Sequence, residues 1–194
     1  MTFNILQGLG EVAEFRLSLR AETDRGCALM AGAFLDDQLV LLLRKVLVDE
    51  KALVDTLFDF SSSLGTFSAR IDMCYALGII PRDARRDLHL IRKIRNDFGH
   101  VARPLTFDDS RISSRCRELT YVTRHGGTTR DLFTSAALGV CAIIHAATEE
   151  SKHAEPASSV FSEVDANKLR DDIENMVKSL MSSLREDGGA VANT

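Results

Sequence analysis

The segment RNDFGH, residues 95–100, carries an arginine and a histidine at a spacing that could support phosphate chemistry. A guanidinium such as that of Arg95 can hold a phosphate group and stabilise its developing charge, and the imidazole of His100 can act as acid and base near neutral pH. Asn96 shares a helical face with His100 if the helix continues that far. One hypothesis is therefore a metal-independent ribonuclease site formed by these three residues.

The same arginine also has a structural interpretation. On a helical wheel with about 100° per residue, Arg95 falls at the edge of the apolar arc of its segment. A guanidinium that enters a core needs an acidic or carbonyl partner, and Asp36 and Asp37 interrupt an otherwise apolar stretch. The second hypothesis is a structural ion pair of Arg95 with Asp36 or Asp37. Gly99 would then end the helix, and the histidine after it would complement the helix dipole.

The elements that must position these residues are all predicted to be helices, because proline is rare and apolar residues recur at spacings of three and four. Thr23 or Asp24 is predicted to cap a long central helix that carries both aspartates. Gly78 ends a fourth helix, and Pro81 opens the fifth, which carries RNDFGH. The basic residues on the outward arc of the fifth helix are expected to be solvated: Arg82, Arg85, Arg86, Arg92 and Lys93.

The chain is expected to be all-α, a single-domain helical bundle with an added C-terminal helix. Residues 1–151 form the helical domain, 152–162 a linker, 163–186 the C-terminal amphipathic helix and 187–194 a disordered tail. The C-terminal helix has one apolar stripe, formed by Leu169, Ile173, Met176, Val177, Leu180 and Leu184. That stripe either docks on the core or pairs with another chain, and a homodimer is one expectation.

The composition, 45% hydrophobic and 27% charged residues, is ordinary for a globular protein, and a net charge of −4 offers nucleic acid no global attraction. Four cysteines without a CxxC pair are predicted to be reduced core thiols in a cytoplasmic protein, and no metal or other cofactor is expected. The N-terminal residues lack the pattern of a signal peptide. The two central aspartates also make a membrane span too costly.

Residues 70–95 superficially resemble a helix-turn-helix, with Gly78 at the turn and arginines after it. The second helix of this unit has a broad apolar arc, which predicts that one of its sides is buried. Asp83 and Asp87 also dilute its positive charge. Direct DNA binding is therefore not expected.

RNDFGH fits the R-x4-6-H motif of the HEPN superfamily of helical domains, including the asparagine after the arginine. The resemblance implies a site that two copies form across a dimer. In it the arginine binds the scissile phosphate, and the histidine acts in acid–base cleavage through the RNA 2′-hydroxyl. Those roles fall on Arg95 and His100 of this sequence, with Asn96 in support. Inactive members of the superfamily keep the pattern for structure.

A longer resemblance covers about residues 15–120. The blocks ETDRGCALMAGAFLDDQLVLLLRKVL, LGTFSARIDMCYALGIIP, DLHLIRKIRNDFGH and LTFDDSRISSRCREL, in that order, are similar to the mannitol operon repressor family (MltR, also written MtlR). The family is all-helical, is named for repression of the mannitol operon and carries no recognised DNA-binding domain. The resemblance implies a transcriptional regulator with an unidentified protein partner. Residues beyond about 150 lie outside it.

The leading hypothesis is thus a non-enzymatic cytoplasmic repressor of a mannitol-like sugar operon, a homodimer that acts through protein–protein contacts. The alternative is a HEPN-type endoribonuclease that acts on RNA through the R-x4-H motif. The placement of Arg95 distinguishes them. A ribonuclease needs Arg95 and His100 in one solvent-reachable cleft, whereas a structural role buries the arginine against a carboxylate.

Overall fold

The computed structural model describes residues 2–100, 102–122, 127–157 and 163–189. Over these residues the chain forms eight α-helices and no β-strand, which confirms the all-α prediction. The helices are α1 (Thr2–Ala21), α2 (Asp24–Val46), α3 (Lys51–Phe58), α4 (Phe67–Ala76), α5 (Arg82–His100), α6 (Ser110–Arg117), α7 (Thr129–Glu150) and α8 (Glu163–Gly189). Met1–Glu155 and Pro156–Thr194 form two compact units.

α2 is the central helix of the first unit and packs against α1, α4, α5 and α7. Its buried face carries the largest run of core leucines: Leu35, Leu39, Leu42 and Leu43. Both α2 and α7 are long and apolar enough to cross a membrane by length and composition alone. Their apolar faces instead pack against neighbouring helices, which makes them core helices of the bundle.

Local signals in the sequence set several helix ends. The Thr23 side chain caps α2 by accepting a hydrogen bond from the Gly26 backbone N–H at 3.1 Å. Gly78 follows α4 with a φ of 72°, a left-handed conformation that favours glycine. α5 then begins directly after Pro81.

The end of α5 differs from the prediction, because the helix continues through Gly99 to His100. Phe98 is fully buried and its ring packs against that of Phe107, 5.2 Å between centroids. A Cβ atom at Gly99 would meet only Leu29 Cδ2, at an ordinary 3.7 Å. This packing holds the last turn helical across a residue that often ends helices.

The predicted linker begins as part of the first unit. The backbone N–H of Ala154 donates a hydrogen bond to the Val46 carbonyl oxygen at 2.8 Å. The Nδ1 atom of His153 donates one to the Leu47 carbonyl oxygen at 2.9 Å. These bonds satisfy carbonyl groups at the C-terminal end of α2. α8, the helix of the second unit, ends at Gly189 rather than near residue 186. Residues 158–162 of the predicted linker and 190–194 of the predicted tail lie outside the described residues.

Candidate functional site at the end of α5

Arg95 lies against α2, yet the residue is exposed. Gly32 of α2 makes room for this close approach, because a Cβ atom added there would lie 2.7 Å from Arg95 Cγ and 3.1 Å from Arg95 Cβ. The aliphatic part of Arg95 therefore crosses bare backbone, and its charged end can reach solvent. Nη1 of Arg95 donates a hydrogen bond to Asn96 Oδ1 at 3.1 Å.

The sequence had suggested an ion pair of Arg95 with Asp36 or Asp37, but Asp36 instead pairs with Arg70 of α4. Arg70 Nη1 lies 2.7 Å from Asp36 Oδ1, and Arg70 Nε donates to the Leu64 carbonyl oxygen at 2.8 Å. Burial raises the pKa of Asp36, while the hydrogen bond and charge of Arg70 oppose that rise. Asp37 is exposed. The direct ion-pair partner of Asp36 is thus Arg70, and the charge of Arg95 adds only a weaker influence that lowers the pKa of Asp36.

Asn96 and His100 lie four residues apart on one helix and share its side. Asn96 is half-buried and His100 is exposed. Arg95 and His100, five residues apart, are separated by about 140° around the helix axis. The structure therefore joins Arg95 to Asn96 by a hydrogen bond, whereas α5 by itself directs Arg95 and His100 apart.

Arg95 and its hydrogen-bond partner Asn96 form a polar surface on the second half of α5, here called the Arg95 surface. Lys93, two residues before Arg95, lies about 160° away around the helix axis and belongs to another side of α5. Lys93 is exposed, like Arg95. Neither cation forms an ion pair with a carboxylate of the described residues. The surface therefore carries positive charge that the chain does not neutralise by direct contact.

Asp97, between these residues in sequence, belongs to a different cluster. It forms ion pairs with Arg115 of α6 and, at 3.3 Å, with Arg111. These contacts tie α6 to the last turn of α5. A cavity of about 100 Å³ adjoins the cluster and is lined by Asp97, Arg103, Leu105, Asp109, Ser110, Arg111 and Ile112.

Arg85 and Arg86, in the first half of α5, form ion pairs, so the prediction that they are simply solvated needs correction, whereas Arg82 is exposed and forms no ion pair with a described residue. Arg85 Nη2 and the His89 ring lie 2.7 Å and 3.0 Å from the same oxygen of Asp72. The hydrogen bond from His89, with that from Arg85, lowers the pKa of Asp72. Arg86 Nη2 lies 3.7 Å from Glu118. Acidic neighbours therefore offset the charge of Arg85 and Arg86 but not that of Arg82.

Asp87 is fully buried, so it does not dilute the surface charge as the sequence had suggested. Its Oδ2 accepts hydrogen bonds from the backbone N–H groups of Thr120 and Tyr121, both at 2.8 Å. Burial raises the pKa of Asp87, and these two hydrogen bonds oppose the rise. Asp87 fastens the segment between α6 and α7 to α5.

Three buried side-chain atoms of the described residues have no hydrogen-bond partner: Asp87 Oδ1, Arg92 Nε and His145 Nε2. Arg92 is therefore not simply solvated, as the sequence had predicted it to be. The four cysteines are all buried and reduced. Burial raises the pKa of Cys27 to about 11 and those of Cys74 and Cys116 to about 12, which leaves them as unreactive thiols near neutral pH. Within the described ranges no group of three or more His, Cys, Asp or Glu side chains could hold a metal ion.

A family model described as MtlR, mannitol repressor, matches residues 16–184. The chain belongs to the MtlR family. The match confirms the resemblance of the α2, α4 and α5 segments to that family. It also extends the resemblance beyond residue 150, into α8. No curated protein matches the chain.

The fold of this MtlR-family chain is also found in a solved structure, the X-ray structure of the MtlR–HPr complex from Escherichia coli. The two chains superpose with a TM-score of 0.62 at 21% sequence identity. The match covers 69% of this chain and 98% of the other. At this identity the likeness establishes the fold, and this chain carries residues that the match does not include.

Proposed function

We propose that this MtlR-family chain represses an operon for mannitol or a similar sugar and acts through protein–protein contacts, without a DNA-binding domain of its own. The observation that carries the proposal is the family match over residues 16–184. A repressor works where its operon is transcribed, so the proposed location is the cytoplasm. The related E. coli MtlR is in complex with HPr, and the proposed partner here is a protein of that kind.

The charge on α5 supports a protein partner over DNA. A recognition helix offers cations on its N-terminal face to a groove. Here Arg85 and Arg86 of that face are engaged by Asp72 and Glu118. The side of α5 that carries Leu88 is buried in the core.

The proposed contact is the Arg95 surface, because the Arg95 guanidinium forms no ion pair with a carboxylate of the described residues and lies on a long helix. Arg95 can therefore pair with acidic or carbonyl groups of a partner without first breaking an internal ion pair. Arg95 is also held in one direction by Gly32 and Asn96, which reduces the entropy lost when it binds.

Calorimetric titration with the HPr-type protein of the same organism tests the proposed contact. We expect wild type to bind, and Arg95→Glu to weaken binding by about tenfold or more because an attractive charge becomes repulsive. Arg82→Glu, an exposed arginine at the other end of α5, is the matched control and should bind like wild type. Absence of wild-type binding contradicts the partner, and equal losses in both variants contradict the surface.

A second candidate function is the HEPN-type ribonuclease, which the exposure of Arg95 favours. Its guanidinium donates a hydrogen bond to Asn96 and forms no ion pair with a described carboxylate, so it can still bind a phosphate. Because Arg95 and His100 diverge around α5, such a site would need residues from two copies.

RNA cleavage in EDTA distinguishes the two candidates. We expect purified wild type, Arg95→Ala and His100→Ala to show the same background rate, with circular dichroism confirming that all three are folded. Cleavage by wild type that both folded variants lose would replace the leading proposal with the ribonuclease.

A further inference from the structure

α8 carries an apolar face that its own unit leaves uncovered. From Asp165 to Ser182 every side chain is exposed except the half-buried Ala166. The exposed apolar residues include Leu169 (48%), Ile173 (50%), Met176 (61%) and Leu180 (56%). A helix this long, with a continuous exposed apolar face, gains little stability until that face is packed.

The spacing of these four residues is that of a coiled coil. They follow one another by four, three and four positions, which places them alternately at the a and d positions of a heptad repeat. Ile173 and Leu180 occupy a positions, and Leu169 and Met176 occupy d positions. A β-branched residue at a with leucine at d favours two parallel strands.

Charges beside this seam also favour one orientation. In the same heptad frame Asp165 is at g and Arg170 at e. In a parallel pair, g of one chain lies beside the following e of the other, so two-fold symmetry forms this attractive pair twice. The next g position, Asp172, faces an uncharged Val177, so no like charges meet.

An antiparallel pair has no such complementarity. With Leu169 opposite Leu180 of the other copy, Arg170 lies beside Val177 and Asp172 beside Ser179. We propose that α8 pairs with the α8 of a second copy of this chain as a parallel, two-stranded coiled coil. The inference does not depend on the proposed function. With only four seam residues per chain, the dimer should dissociate at micromolar rather than nanomolar concentrations.

Sedimentation of the full chain across the micromolar range tests the pairing. Wild type should change from monomer to dimer as concentration rises, and Ile173→Lys should remain monomeric. Asn175→Lys adds the same charge at an outward c position and should dimerise like wild type. Thermal unfolding of the first unit should be equal in all three. A monomeric wild type, or a dimer that Ile173→Lys leaves intact, overturns the proposal.

Disulfide cross-linking tests the orientation, because the four native cysteines are buried. Leu169→Cys should form a cross-linked dimer with itself under mild oxidation, since a parallel pair places residue 169 beside its counterpart. An antiparallel pair would cross-link only a mixture of Leu169→Cys with Leu180→Cys, and that result overturns the parallel arrangement.

Discussion

Replacing Asp87 with alanine should lower the free energy of unfolding by about 3 kcal/mol, since two buried backbone donors lose their acceptor. Those donors are the N–H groups of Thr120 and Tyr121, each 2.8 Å from the carboxylate. Chemical denaturation measures the loss. Asp83 is an exposed carboxylate one turn earlier. The free energy of unfolding of Asp83→Ala should therefore stay within about 0.5 kcal/mol of that of wild type. Equal effects of the two substitutions would contradict the role given to Asp87.

The same residue should make stability depend on pH. Burial raises the folded-state pKa of Asp87 above its ordinary value of 3.8. Between the unfolded and folded pKa values, the unfolded chain releases the proton while the folded chain retains it. The part of Asp87's contribution to stability that is linked to this proton is therefore full below pH 3.8 and is lost as pH rises through the folded pKa. The stability of wild type relative to Asp87→Asn should fall over that interval, and a flat difference would contradict the raised pKa.

Gly139→Ala should destabilise the protein by about 2 kcal/mol, although alanine is the better helix former. A Cβ atom at Gly139 of α7 would lie 2.4 Å from the backbone oxygen of Tyr121 and 3.1 Å from its Cβ. Backbone cannot turn aside as a flexible side chain can, so α7 or the Tyr121 segment must move.

Thermal unfolding, with Gly99→Ala as the matched helical control, measures this effect. A Cβ atom at Gly99 meets only an ordinary contact, so that variant should be as stable as wild type or slightly more stable. If Gly139→Ala matched the control, the close approach of α7 to Tyr121 would be contradicted.

Much of the fold could be predicted from the sequence because its signals are local. Apolar spacing identified the helices, and Thr23 and Gly78 marked ends that the structure confirms. The prediction that α5 ends at Gly99 was wrong, because the packing of buried Phe98 keeps the helix regular through Gly99 to His100. That effect depends on packing between distant segments, which no local pattern contains.

The side-chain contacts also divide into those that local sequence patterns indicate and those that depend on packing between distant helices. Asp87 could have been recognised, since with Leu88 at zero it falls at about 260° on the helical wheel, inside the apolar arc. The partner of Asp36 could not have been predicted, because it is Arg70 of α4, a residue distant in the sequence. The exposure of Arg95 likewise depends on the register that sets it over Gly32. Residue types identified these charged groups, but only the packing of helices assigns their partners.

The central claim, that this MtlR-family chain represses a sugar operon through a protein contact, is tested most directly by transcription. The measurement is a reporter driven by the mannitol-type operon of the same organism, with the chromosomal copy of this chain deleted and then restored. The account predicts that expression rises on deletion, that wild type and Arg82→Glu restore repression, and that Arg95→Glu at equal protein level does not. Expression that deletion leaves unchanged would contradict it.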